Sequence, residues 1–169
     1  AYASSEGMSP SEVLIDTGCS RGMGSEKALQ NLEKVASQRG YKTEREGSSV
    51  TFGFAGGASQ ESSGKTRVPA PVFLRDTFFE AVKQGDAPLL LGIKQLINLD
   101  GIMFAKQNVM VFRDGEEQWR IVLLRAAENG HRYVDLFGVS HVLTCLPGLD
   151  VMCGGLTGQA LIDAVVGPM

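Results

Sequence analysis

Short apolar runs separated by turn-forming residues dominate the first half of the chain, which is typical of a protein built mainly from β-strands. The first run, Val-Leu-Ile at residues 13–15, leads directly into an Asp-Thr-Gly tripeptide, so we expect a buried strand that ends in a turn. Residues 25–39 carry apolar side chains at helical spacing. This spacing predicts a helix with Ser25 as its N-cap and Gly40 at its end.

The following segments alternate in the way that strands do, around a pair of glycines. Residues 41–54 predict two strands, a polar loop follows, and alternation resumes after it. We therefore predict a hairpin over residues 50–72 with Gly56 and Gly57 at its tip. The apolar run at 88–92 ends in glycine and precedes a segment with the pattern of a short helix.

Three regions differ in character, and they divide the chain. Residues 1–12 are small and polar and predict a linker. Two last strands, at 102–105 and 109–112, complete a domain that we place at residues 13–113. Residues 114–169 contain no lysine but seven acidic residues and eight glycines, and we assign them to a C-terminal extension of unknown fold.

In two segments the sequence pattern does not distinguish a strand from a helix. Residues 77–82 and residues 119–127 fit a strand and a helix equally well, whereas residues 156–166 predict a short helix. The expected fold class is therefore mainly β, with one or two short helices in the domain.

Composition narrows the classes of partner. A chain of 169 residues is long enough for one domain with a real core. The net charge of −3 gives no excess of positive charge for binding nucleic acid or an anionic membrane, and no apolar run approaches the length of a membrane span.

The cysteines indicate the cellular compartment. Three cysteines without a CxxC pair argue against a disulfide framework, so we expect an intracellular, cytoplasmic location. The chain begins at Ala1 without an initiator methionine, and we expect a fragment of something longer.

The candidate chemistry lies in the tripeptide Asp16-Thr17-Gly18. A carboxylate placed directly after a buried strand is costly unless it is hydrogen-bonded or functional. The neighbouring glycine lets backbone N–H groups approach that carboxylate, and threonine supplies a hydroxyl. An Asx-turn that merely ends the strand is the alternative interpretation.

Two further motifs favour the functional interpretation. The segment around Asp16 resembles the active-site motif of the retropepsins, the proteases of retroviruses and retrotransposons. The hairpin over 50–72 stands where that family has its flap, and Leu89-Leu90-Leu91-Gly92 with its helix is similar to the loop that supports the catalytic turn. Cys19 departs from the family pattern, which has alanine or serine there, and its thiol would be open to oxidation.

The resemblance implies a closed β-barrel lobe that forms half of a two-fold dimer. It implies that Asp16 is catalytic, that Thr17 and Gly18 complete the active-site turn and that Leu90, Leu91 and Gly92 support it. Ala55, Gly56 and Gly57 would be the flap residues that contact substrate. No cofactor and no metal are expected.

A single aspartate cannot hydrolyse a peptide by this route, because one carboxylate activates water while a second protonates the leaving side. Asp-Thr-Gly occurs once, and no Asp-Ser-Gly accompanies it. We therefore expect a homodimer with one Asp16 from each copy, acting on an extended peptide in a retroelement-type polyprotein, in the cytoplasm or a retroelement particle. The alternative is a non-catalytic module of the same fold for dimerisation or peptide binding, and a third possibility is a β-rich structural domain.

Other candidate sites fit their motifs poorly. The tail carries His131, His141, Cys145 and Cys153 at a spacing that matches neither a zinc finger nor a zinc knuckle. Ser140 begins like a nucleophile elbow, but the closing glycine is missing. The glycines before the first helix do not complete a phosphate-binding GxGxxG motif.

Overall fold

The computed structural model describes residues 7–54, 56–152 and 154–166, and in these ranges the protein is mainly β. Four α-helices and one 3₁₀ turn accompany the strands, and none of these helices is long and apolar enough to cross a membrane. The helices are α1 (Glu26–Gln38), α2 (Ile93–Asn98), α3 (Leu149–Met152) and α4 (Gly158–Val166). The strands are β1 (Glu12–Ile15), β2 (Met23–Ser25), β3 (Glu44–Glu46), β4 (Thr51–Gly53), β5 (Ser59–Glu61), β6 (Gly64–Ala70), β7 (Arg75–Val82), β8 (Leu90–Leu91), β9 (Ile102–Phe104), β10 (Val109–Arg113), β11 (Trp119–Leu123), β12 (Arg125–Ala126), β13 (Arg132–Asp135) and β14 (Ser140–Val142).

The strands form three sheets. The largest has the order β12-β13-β1-β8-β2-β7-β6-β3, the second has the order β14-β11-β10-β9, and β4 pairs with β5 alone. The expectation of a closed barrel is wrong for the described residues, because β12 and β3 end the large sheet without pairing with each other. The mainly β class is confirmed.

Near the centre of the large sheet, the short strand β8 lies next to β1, the strand that leads to Asp16. β8 lies between β1 and β2, parallel to the first and antiparallel to the second. The Leu14 N–H donates to the Leu89 carbonyl at 2.8 Å, and all four residues of β1 are buried. Because a strand that is buried on both faces needs apolar side chains on both, its sequence is a continuous apolar run, as at residues 13–15. This arrangement fixes the end of β1, and with it the turn that follows.

Helix α1 matches its prediction closely. The Ser25 side chain accepts a hydrogen bond from the Ala28 N–H at 3.1 Å, which is the predicted N-cap. Leu29 and Leu32 are fully buried against the sheet. Gly40 ends the helix with a φ of +82°, a value that glycine adopts without steric cost.

The hairpin predicted over residues 50–72 is shorter in the structure: β4 and β5 form it over residues 51–61, and β6, in the rest of the predicted range, pairs with β3 and β7 instead. Phe52 pairs with Gln60, and the chain reverses through Gly56 and Gly57, which have φ values of +97° and +86°. Ala55, the third residue predicted at the tip, lies outside the described residues. The Phe52 side chain is buried in a small apolar cluster with Met23, Val82 and Ala87, so the base of the hairpin packs on the main sheet.

Residues after 113 share both larger sheets with the residues before them. β13 pairs with β1 in antiparallel register, and β11 forms a hairpin with β10. Leu136 is fully buried in the largest core cluster, together with residues of the predicted domain. α4 packs its Leu161 and Ile162 on the second sheet. At the other end of the chain, β1 begins at Glu12, inside the segment predicted as a linker.

Candidate active site

Asp16 stands at the point where β1 leaves the sheet. Its backbone N–H donates to the Leu91 carbonyl at 3.0 Å, so its position is fixed by β8. Its carboxylate Oδ1 accepts a hydrogen bond from the Gly18 N–H at 2.9 Å. Thr17 and Gly18 are exposed, and Asp16 is half-buried. The result is a half-buried carboxylate at the end of a buried strand, with one of its oxygens held by a backbone N–H.

The loop predicted to support this turn contacts it directly. Leu91 is fully buried, and Gly92 lies against the backbone of Arg21, so closely that a Cβ on Gly92 would be 2.5 Å from the Arg21 carbonyl carbon. The Ile93 N–H donates to the Cys19 carbonyl at 2.8 Å. Glycine is therefore required at position 92 for steric reasons. The structure brings the two predicted motifs together.

Gln95 was not singled out by sequence patterns, yet it joins three parts of this assembly. Its Oε1 accepts from the Gly92 N–H at 2.8 Å, and its Nε2 donates to Thr77 Oγ1 at 2.6 Å and to the Phe78 carbonyl at 2.9 Å. It thereby ties the first turn of α2 to β7. Because the N-cap is Gly92, which has no side chain, the sequence contains only the glutamine half of the capping-box pattern, in which the side chain at the third helical position accepts from the N-cap N–H.

The Cys19 side chain links the Asp16 turn to the residues around it. Its Sγ–H donates to the Arg21 carbonyl at 2.9 Å, and its side chain packs against the cluster that holds Phe52 of the hairpin. The hairpin base and the Asp16 turn are therefore neighbours. Burial raises the pKa of the Cys19 thiol, and the negative charge of Asp16 raises it further. Because the thiolate is the reactive form, this environment slows both nucleophilic attack and oxidation at Cys19.

An apolar surface adjoins Thr17. A cavity of about 360 Å³ is lined by Thr17, by the exposed Asp100 and by three exposed apolar side chains, Ile93, Ile97 and Met103. We call these three residues the apolar patch; Ile97, at 63% exposure, is the most open of them. Met103 belongs to β9, which is one of the two edge strands of the second sheet among the described residues. Exposed apolar side chains grouped beside a polar turn are typical of an interaction surface.

Ser140 and His141 of the tail lie in the second sheet, on β14, which pairs with β11, whereas His131 precedes β13, a strand that pairs with β1 in the large sheet. Within the described ranges, no group of three or more His, Cys, Asp or Glu side chains is placed to hold a metal ion. Cys153 lies outside the described residues.

Comparison with known proteins identifies no relative: no family model matches the chain, and neither a curated protein nor a solved structure matches it significantly. Residue roles therefore come from the geometry around Asp16 and from the order of the three motifs in the sequence.

Proposed function

We propose that the chain is a retropepsin-like aspartic endopeptidase that is active as a homodimer. The observation that carries this proposal is the carboxylate of Asp16, oriented by the Gly18 N–H at the open end of a buried strand and backed by the Gly92 loop. An Asx-turn alone explains the Gly18 hydrogen bond. It does not explain why an apolar loop ending in a sterically required glycine packs behind the same turn.

The proposed chemistry uses two copies of Asp16. One carboxylate accepts a proton from water as the water oxygen bonds to the peptide carbonyl carbon, and the other carboxylic acid supplies the proton that the departing amine needs. Two carboxylates about 3 Å apart share one proton, because both cannot ionise together. The pair then titrates as a unit, and the pH dependence of cleavage is bell-shaped.

The apolar patch supports the requirement for a second copy. It lies beside Thr17, so a copy that covers it brings its own turn close to this one. A symmetric interface is self-complementary, and an apolar face beside an edge strand meets that condition. Thr17 is proposed to brace the two turns across the two-fold axis.

The substrate class follows from the hairpin. Gly56 and Gly57 are exposed at its tip, and glycines present backbone N–H and C=O groups without side-chain obstruction. An extended peptide lying between the hairpin and the Asp16 turn would bind by β-augmentation, with main-chain hydrogen bonds on both sides. We propose a retroelement-type polyprotein as the natural substrate, with Leu90, Leu91 and Gly92 in a supporting role.

The deciding experiment compares Asp16→Asn with the wild-type chain on a peptide library, at several pH values and several protein concentrations. Asparagine keeps an oxygen for the Gly18 N–H, so the fold is retained while the titrating group is lost. Cleavage is expected to fall by about a thousandfold. Asp86→Asn, which changes an exposed carboxylate outside the turn, is the matched control and is expected to keep full cleavage.

Two outcomes would contradict the proposal. Cleavage that survives Asp16→Asn places the catalytic group elsewhere. A dimer that binds peptides but cleaves none at any pH supports the non-catalytic module instead, and a statine-type transition-state mimic would then have no hydrolysis to inhibit.

A further inference from the structure

A second cleft lies beside Arg21 and Gly22, just after the Asp16 turn in the chain. Its volume is about 360 Å³, and it lies between α2 and β7 with Phe73, Phe78 and Leu99 among its lining residues. Arg21 and Lys94 also line this cleft. We call it the basic cleft.

The basic cleft is built rigidly onto the catalytic turn. Gly22, which follows Arg21, packs so tightly that a Cβ there would be 2.5 Å from the Phe78 carbonyl oxygen. Its own carbonyl accepts from the Glu80 N–H at 2.9 Å. Gln95 holds the opposite wall through its bonds to Thr77 and Phe78. These contacts fix the position of the cleft relative to the Asp16 turn.

Two of the cationic residues that line the basic cleft have no acidic partner among the described residues. Arg21 and Lys94 are exposed, and among the described residues neither forms an ion pair. The Lys94 N–H donates to the Ser20 carbonyl at 3.3 Å, so the two cationic residues are attached to one another through the backbone.

The other charged groups of the cleft already have partners. Lys65 pairs with Glu46 at 2.9 Å, and the Arg75 guanidinium donates to the carbonyls of Asn98 and Arg113. The two carboxylates that line the cleft are also engaged. Asp76 faces Arg67 at 3.8 Å, and Glu80, only 3% exposed, accepts from the Ser62 hydroxyl at 2.6 Å. What remains for a ligand is positive charge.

The position of Arg21 limits the ligand. Arg21 follows Asp16 by five residues, and an extended chain advances about 3.3 Å per residue. A peptide whose scissile bond lies at Asp16 therefore reaches the basic cleft within about five residues of that bond. A cleft with apolar walls and two unpaired cations fits a short acidic peptide segment.

We propose that Arg21 and Lys94 bind an acidic side chain in the part of the substrate that flanks the scissile bond. This inference rests on the proposed endopeptidase function, and it makes the basic cleft a determinant of cleavage-site specificity. The attraction acts between exposed charges, so it weakens as salt is added.

The test uses two peptides cut by the wild-type chain, identical except that one has glutamates and the other glutamines in the flanking positions. The wild-type chain is expected to prefer the glutamate peptide about three- to tenfold in kcat/KM, the size expected for two exposed ion pairs. In R21Q/K94Q this ratio is expected to fall to about one. The control K27Q/K34Q removes the same charge from the exposed face of α1 and is expected to keep the preference.

Binding distinguishes this inference from the proposed function. Fluorescence anisotropy with the labelled glutamate peptide and the Asp16→Asn chain needs no cleavage, and R21Q/K94Q in that background is expected to weaken binding while K27Q/K34Q does not. If no peptide is cleaved, a glutamate peptide that the wild-type chain binds takes its place; the same difference in binding then keeps Arg21 and Lys94 as a site for an acidic side chain, while the endopeptidase proposal fails. A preference or an affinity that is unchanged in R21Q/K94Q overturns the cleft assignment.

Discussion

Individual glycines behave very differently in this chain, although all of them add to the unusual glycine content of 21 in 169 residues. Gly92 and Gly22 are fixed by contact, because a Cβ on either would be 2.5 Å from neighbouring atoms. Gly47 has open space around it and an ordinary φ. The first two sit where the Asp16 turn meets α2 and β7, so part of the glycine surplus is explained by backbone packing at the candidate site.

A single methyl group at position 92 tests this contact. Gly92→Ala is expected to lower the free energy of unfolding by about 1–3 kcal/mol, since the new Cβ must displace the Arg21 backbone. Gly47→Ala is expected to change stability by less than about 0.5 kcal/mol. Urea denaturation of both variants measures the difference, and equal stabilities would contradict the packing seen around Gly92.

At the level of elements, β1 is the strand that connects the parts of the chain. It pairs with β8 on one side and with β13 on the other. The Glu12 carboxylate at its start forms a two-armed ion pair with Arg125 of β12, at 2.7 Å and 3.0 Å, across 113 residues of sequence. Burial raises the pKa of Glu12, but the hydrogen bonds from Arg125 and Ser9 outweigh this and hold that pKa below its ordinary value of about 4.5.

Such a pair gives stability with a defined pH dependence. Because the pKa of Glu12 is lower in the folded state, its contribution is complete above about pH 4.5 and is lost as the pH falls through the folded-state value. Glu12→Gln is therefore expected to be less stable than wild type by about 1 kcal/mol at pH 7, and to approach it at low pH.

Urea midpoints at pH 7 and pH 3 measure this difference. Glu128→Gln, which changes an exposed carboxylate in the turn between β12 and β13, is expected to match wild type at both pH values. A Glu12→Gln deficit of the same size at pH 7 and pH 3 would mean that the ion pair is not its cause.

At the scale of the whole molecule, the apolar patch links the proposed dimer to the proposed cleavage. Ile93, Ile97 and Met103 are 36%, 63% and 38% exposed, and all three share a cavity with Thr17. In the proposed dimer the patch is buried against its own copy, and the catalytic pair forms at the same interface. Dimerisation and cleavage are then properties of one surface.

Met103→Arg tests this coupling. Two copies of the variant would place like charges against an apolar face, which is expected to weaken the dimer by at least about a hundredfold in its dissociation constant. Sedimentation over a range of concentrations, together with the cleavage assay, is expected to show loss of dimer and of activity in parallel. Val139→Arg, at a residue that is 72% exposed and outside the patch, is the control. A Met103→Arg chain that sediments like wild type would place any dimer interface elsewhere.

Local patterns alone predicted much of the candidate site. The structure contains four features that depend on neighbouring residues: the strand before Asp16, the Ser25 cap of α1, the turn at Gly56 and Gly57, and the apolar run before Gly92. The bounds predicted for the hairpin at that turn were wrong, because β6 pairs with β3 and β7. The bond between Gln95 and the Gly92 N–H is local, but its bonds to Thr77 and the Phe78 carbonyl could not be predicted, because those partners lie on a strand that is distant in sequence.

What the sequence by itself determined is thus the set of elements near the turn, since capping, turn chemistry and runs of apolar residues act over a few positions. Only the tertiary structure decided that residues 77–82 and 119–123 are strands, because each gains its hydrogen bonds from a partner strand rather than from its own turn. It likewise decided that the large sheet stays open and that β13 pairs with β1. Strand pairing joins residues that are far apart in the chain, and no local pattern records which pairs will meet.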